Sequence, residues 1–204
     1  LCLEVDIYRC ICDDVGMLKM AILGFLRDFP LHGYDLKNRV AALAGHVRPI
    51  ADGTLYPTIK KLEEAGCLTR RTAPGSVAAP RHMLEITQEG TDQLRRWLRN
   101  PEPVFITDDN KWYVLLAFLH HLDNPREQSI VLARRREYLD QPTQLFFDEQ
   151  GRPVPTEELE SPFRKGLMQI HRSVNLNEID WLDARIAELD RRAGYTASGT
   201  TGDP

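Results

Sequence analysis

The sequence predicts a mainly α-helical chain with one β-hairpin in its first half and an all-helical second half. Apolar residues recur at three- and four-residue steps along most of its length. A single pair of short runs, 68–72 and 81–87, flanks the cluster Pro74-Gly75-Ser76, the composition of a hairpin whose tip is too long for a two-residue turn. Proline-marked breaks at 100–103, 124–125 and 161–162 divide the helical segments.

Composition bounds the class. The chain has 204 residues, 42% hydrophobic and 27% charged, enough for one large or two small cores. No run of about 18 apolar residues is present, nor a basic segment followed by an apolar signal core, so a cytoplasmic protein without membrane contact is expected. Cysteines stand at 2, 10, 12 and 67, with no C-x-x-C pair. Reduced thiols are expected, with no metal site and no cofactor.

The overall charge of −4 argues against nucleic acid, but its distribution argues the other way. Residues 17–100 hold thirteen Lys and Arg against eight Asp and Glu, a net of +5 that leaves −9 for the remainder. Such an asymmetry suits a chain in which one part meets phosphate.

Residues 1–16 alternate too irregularly to assign and read as an N-terminal extension of uncertain origin, with Met17 a plausible native start. Leu18, Ala21, Ile22, Phe25 and Leu26 define a first helix that Phe29-Pro30 ends. A second helix, about Gly33 to Leu43, buries Leu36, Val40 and Leu43, and Gly45 closes it. The stretch Gly53–Gly66 reads as a third, with Thr54 as cap, Pro57 in the first turn and Gly66 as stop. Its residues Leu55, Ile59 and Leu62 point inward, leaving Thr54, Tyr56, Thr58, Lys60 and Lys61 on the flanks and outer face. Alone, such a helix is equally an ordinary amphipathic one with a solvated basic face.

Three short helices followed by a hairpin are the elements of a winged helix-turn-helix domain, placed here at 17–100. Arg70, Arg71, Arg81 and His82 flank the wing. Thr87 caps a fourth helix carrying Glu89 near its positive end, and Leu94, Trp97 and Leu98 on one face. Asn100-Pro101-Glu102-Pro103 marks the domain boundary.

The second domain, 108–192, is read as a helical dimerisation domain. Asp108 and Asp109 open a helix apolar nearly all round, which requires burial on more than one side. Asn124-Pro125 and Ser161-Pro162 each pair a cap with a first-position proline. Between them, residues 143–160 form a loop expected to fold back over the core. The last helix, 162–192, is near 45 Å long at 1.5 Å per residue. Phe163, Leu167, Ile170 and Val174, then Ile179, Leu182, Ile186 and Leu189, repeat along it with one phase slip at 175–177. A helix of that length with an apolar seam usually packs on a second copy, the alternative being a lid over its own domain. Residues 193–204 read as a disordered tail.

Four stretches are similar to the PadR family of transcriptional regulators: Ile22-Leu23-Gly24-Phe25-Leu26, Pro30-Leu31-His32-Gly33-Tyr34-Asp35-Leu36, Gly53–Gly66, and Leu84-Glu85-Ile86-Thr87-Gln88-Glu89-Gly90. The second half resembles its longer-tailed members in length and helical pattern. Residues 1–16 have no family counterpart, and 78–83 lack an aromatic pair frequent there. The resemblance implies a ligand-responsive repressor that binds a palindromic operator in double-stranded DNA as a homodimer, with a small aromatic effector. Two copies joined by the long helices would present recognition helices to major grooves about 34 Å apart. Tyr56 and Thr58 are candidates for base or sugar contact, with Thr54 beside them. Lys60 and Lys61 are candidates for phosphate, and Arg70, Arg71 and Arg81 for backbone near the wing. Phe163, Leu167, Ile170, Val174, Leu182, Ile186 and Leu189 are the expected dimer seam. Trp112, Tyr138 and Trp181 are weak effector candidates, each also a plain core residue.

An enzyme is not expected, since phosphate-loop, dinucleotide, nucleophile-elbow and H-E-x-x-H signatures are all absent. His120-His121 is read as exposed-face or interfacial on a helix in preference to metal-binding, because neighbouring helical positions diverge by about 100°. The rival reading is a winged-helix adaptor that binds protein without DNA.

Overall fold

The structure, a computed structural model, describes residues 5–43, 52–72, 82–142 and 144–194, with side chains described from residue 15 onward except at 52 and 72. Cys2, Gly45, Arg81, the hairpin tip and the 195–204 tail therefore lie outside it, as do the side chains of Cys10 and Cys12. It forms two compact units, residues 1–123 and 124–204.

Helix α1 (Val5–Asp28) is the spine of the first unit, packing on α2 (Gly33–Leu43), α3 (Asp52–Glu64), α4 (Gln88–Arg99) and α6 (Asp109–Phe118). Its central residues Ile22 and Leu23 are fully buried. The helix runs through most of the segment read as an irregular extension. Once Met17–Asp28 is fixed by packing, each preceding residue needs only one more hydrogen bond to propagate the helix, so weak periodicity suffices.

A three-stranded antiparallel sheet, in the order β1-β3-β2, joins β1 (Leu31–His32), β2 (Leu68–Thr72) and β3 (His82–Ile86). Leu31 pairs with Leu84, and Arg70 lies opposite Leu84 on the other side. Strand β1 was not legible in the sequence, because two residues carry no alternation. The hairpin β2–β3 is the predicted wing.

Two glycines of the sequence stretches singled out above prove to be close approaches. A Cβ on Gly24 would collide with the ring of Phe118 from α6, and one on Gly90 would collide with the Cys67 carbonyl. Thr87 links Gly90 to Gly66. Its Oγ1 accepts from the Gly90 N–H at 3.0 Å and donates to the Gly66 carbonyl at 2.6 Å, locking the start of α4 to the turn after α3. Cys67 in that turn is buried, and burial first, then Glu89, raises its thiol pKa.

The sequence breaks the chain at 100–103, whereas the compact units divide after Asp123. Proline ends a helix but does not decide where the chain packs next. After the short α5 (Pro103–Thr107), α6 returns to α1, and the burial of Trp112, Val114, Leu115 and Phe118 explains its all-round apolar character.

In the second unit, α7 (Pro125–Leu139) packs along α8 (Pro162–Arg192). Both open as expected: Asn124 Oδ1 accepts from the Arg126 N–H at 2.9 Å, and Ser161 Oγ from that of Arg164 at 3.4 Å. Arg135, 1% exposed, donates from Nε and Nη2 to the two carboxylate oxygens of Glu178 at 2.8 and 3.1 Å. Arg136 to Asp183 and Ser129 to Asp190 add polar contacts along the same pair of helices. The 143–160 loop folds back only in part. Leu159 is buried and Arg164 lies over the Phe146 ring, but Phe147 is 58% exposed.

The phase slip in α8 marks a change of face. Leu182 and Leu189 are buried within the unit, and Ile186 is half-buried. Phe163, Leu167, Ile170 and Val174 are all exposed, and Trp181, one heptad beyond Val174, continues their line. Leu182 and Leu189 are thus withdrawn from the expected dimer seam. Their periodicity reflects packing on the neighbouring helix, which a single-chain pattern does not distinguish from packing on a second copy.

Candidate nucleic-acid interface

Helix α3 ends as its sequence predicts and begins differently. Gly66 adopts φ 71°, its N–H donates to the Glu63 carbonyl, and the Cys67 N–H reaches back to Leu62 at 2.8 Å. This is the paired closure a left-handed glycine permits. At the other end the helix starts at Asp52, so Thr54 is inside it rather than capping it, and Pro57 is interior. With no N–H on Pro57, the Gly53 carbonyl loses its intrahelical donor.

That rearrangement corrects one predicted contact. Thr58 is 3% exposed, and its hydroxyl donates to the Thr54 carbonyl at 2.8 Å. It lies three residues after Leu55 and four before Leu62, on the buried stripe with Ile59. A hydroxyl so engaged does not read a base edge, and Thr58 serves the helix instead.

The outward face is left to Tyr56, Lys60 and Lys61. Tyr56 is 45% exposed. Lys60 extends into solvent, with Glu64 Oε1 3.7 Å from its Nζ, a pairing weak enough at the surface to yield to a phosphate. Lys61 is exposed and has no ion pair among the described residues. On the wing, Arg71 is mostly exposed and lies 3.4 Å from Glu85, whereas Arg70 donates from Nε to Glu63 at 2.9 Å. Arg70 therefore ties the wing to α3 as well as facing outward.

Between α3, the sheet and the start of α2 lies a concave surface of about 460 Å³, lined by His32, Gly33, Tyr34, Asp35, Tyr56, Ile59, Arg70, His82 and Leu84. It brings Tyr56 and Arg70 together, as expected of one interface. It also adds Tyr34, 70% exposed, and His32, whose Nδ1 is 3.3 Å from the His82 carbonyl. Sequence reasoning assigned neither a role, although both stand in the quoted stretch Pro30–Leu36. An exposed tyrosine at a helix start next to a glycine was the available signal.

The weak effector candidates are divided between the two units. Trp112 is fully buried in the first unit, while Tyr138 and Trp181 belong to the second. Tyr138 carries the Arg135 guanidinium 5.4 Å above its ring, and Trp181 is 48% exposed. Among the described residues no helix is long and apolar enough to cross a membrane.

Residues 22–96 match the transcriptional regulator PadR-like family. The negative transcriptional regulator PadR of Bacillus subtilis (strain 168) is 24% identical over 180 residues, covering 86% of this chain and 98% of that protein. Among solved structures, B. subtilis PadR in complex with operator DNA is similar at 23% identity, with 85% and 99% of the two chains covered and a TM-score of 0.40. The same protein in complex with p-coumaric acid is similar at 24% identity, with the same coverage and a TM-score of 0.38.

Proposed function

We propose that this chain, whose residues 22–96 match the transcriptional regulator PadR-like family, is a repressor that binds operator DNA as a homodimer. The observation that carries the reading is the outward face of α3. Tyr56, Lys60 and Lys61 share a stretch, residues 17–100, of net charge +5 with the wing arginines Arg70 and Arg71, and Tyr56 lines one concave surface with Arg70. Lysine and arginine there supply the phosphate contacts that set register, and Tyr56 and Tyr34 supply groups for sugar or base edges. Repression follows the character of the B. subtilis relative, named a negative transcriptional regulator.

Three exposed polar side chains on one helix do not specify a long site. Specificity then depends on two copies meeting a palindrome at a fixed spacing, and the exposed line Phe163, Leu167, Ile170 and Val174 supports that pairing. Release by a small aromatic ligand belongs to the same reading and requires unequal affinity for two conformations of the dimer. A cytoplasmic location accords with these partners.

The test is titration of the full chain with duplexes from the region upstream of its own gene, at about 50 and 200 mM salt. Binding that weakens steeply with salt, with a protected palindrome in footprinting, supports the regulator. No binding to any duplex at low salt overturns it in favour of a winged-helix protein adaptor.

A further inference from the structure

Away from the DNA face, three metal-ligating side chains converge within the first unit. Asp28 closes α1, and His120 and His121 form the 3-10 turn Leu119–His121 that follows α6. Their ligand atoms all lie within 4.8 Å of one another. His120 Nε2 is 3.4 Å and His121 Nε2 is 3.3 Å from the same oxygen, Asp28 Oδ1. The expected divergence of adjacent histidines is overcome because the turn is not α-helical and both rings swing to one side, with centroids 4.0 Å apart.

The other nitrogen of the His120 ring is held by the backbone. His120 Nδ1 lies 3.0 Å from the Ala117 carbonyl. The buried Nε2 of His121 makes no hydrogen bond, although Asp28 Oδ1 lies close to it. A ring that donates Nδ1–H to a carbonyl presents a lone pair at Nε2, which is how histidines are oriented for metals. Neutral rings with lone pairs at Nε2 would repel the carboxylate oxygen, an arrangement relieved either by a proton on Nε2, as in the His120–Asp28 hydrogen bond, or by a shared cation. Phe118, stacked on His121 at 6.2 Å, fixes one ligand, while the exposed His120 retains freedom to close the third edge.

We propose that Asp28 Oδ1, His120 Nε2 and His121 Nε2 bind one divalent transition cation of the Zn²⁺ class, with water completing the coordination. The distances fit that class: bonds of 2.0–2.1 Å in a tetrahedron place neighbouring ligand atoms about 3.3–3.4 Å apart. Nitrogen and oxygen donors without sulfur select imidazole-seeking metals over Mg²⁺ or Ca²⁺, which take oxygen alone. Bound there, the ion cross-links the end of α1 to the turn after α6. The site is separate from the proposed DNA contacts and stands or falls independently of them.

The experiment is titration of the chelator-treated full chain with Co²⁺ followed by displacement with Zn²⁺, beside the variants His120→Ala and Asp28→Asn, with circular dichroism confirming that each is folded. Visible ligand-field bands saturating at one Co²⁺ per chain and lost on adding Zn²⁺ are expected. Each variant should weaken binding by more than about tenfold, the lower range seen when even a supporting partner of a metal ligand is removed. Absence of bands in millimolar Co²⁺, or equal titrations for wild type and both variants, overturns the site. Because neither variant touches the DNA face, failure of DNA binding leaves this result unaffected.

Discussion

Arg70 of the first wing strand donates from Nε to Glu63 Oε2, near the end of α3, at 2.9 Å. The pair holds the wing against the helix and, at the same time, neutralises one of the cations available to phosphate. Glu63→Gln removes a negative charge from the proposed DNA face and releases Arg70. The substitution is expected to tighten binding to all duplexes and to steepen the salt dependence by up to about 1 in log–log slope. Unchanged affinity and slope would show that Arg70 does not meet the backbone.

Gly90 has the Cys67 carbonyl where a Cβ would lie. Gly90→Ala must therefore move backbone rather than a flexible side chain. We expect a loss of about 1–3 kcal/mol or more, as for overpacked cores. Thermal unfolding should register about 2–4 °C per kcal/mol for a chain of this size.

The Arg135–Glu178 pair lies in the interior of the second unit, with Arg135 1% and Glu178 15% exposed. Glu178→Ala removes two hydrogen bonds from a buried guanidinium. A cost on the order of 3 kcal/mol is expected in chemical denaturation, whereas Arg135→Met combined with Glu178→Leu should recover much of it. A single variant as stable as the wild type would contradict the burial of this pair.

The two halves of α8 make opposite predictions. Leu167→Glu with Ile170→Glu alters only exposed positions, so the monomer fold should persist while the mass in solution, measured by light scattering, falls from dimer to monomer. Leu182→Ala should instead destabilise the fold by about 2–5 kcal/mol through the cavity it leaves. A double Glu variant that remains dimeric would place the interface elsewhere.

The sequence carried the local signals well and the packing partners poorly. Caps at Thr87, Asn124 and Ser161 and the stop at Gly66 are chemical requirements of a helix end, so the residue type announces the position. Thr54 and Pro57 looked like one more such start, but the helix runs one turn earlier, and a proline inside it was not distinguishable from one near its beginning. Thr58 was misplaced for the same reason, because a hydroxyl on an apolar stripe is satisfied by the carbonyl four residues back. The burial of Leu182 and Leu189, the return of α6 to α1 and the meeting of Asp28 with His120 and His121 are long-range events. No periodicity encodes them.

The central claim is that the outward face of α3 meets phosphate, and Lys61 tests it most directly, since it is exposed and has no ion pair among the described residues. The measurement is the slope of log affinity against log salt for one duplex, wild type against Lys61→Ala. Loss of one phosphate contact predicts weaker binding to every sequence and a slope shallower by about 1. An identical slope and affinity in the variant would contradict the assignment of this face to DNA.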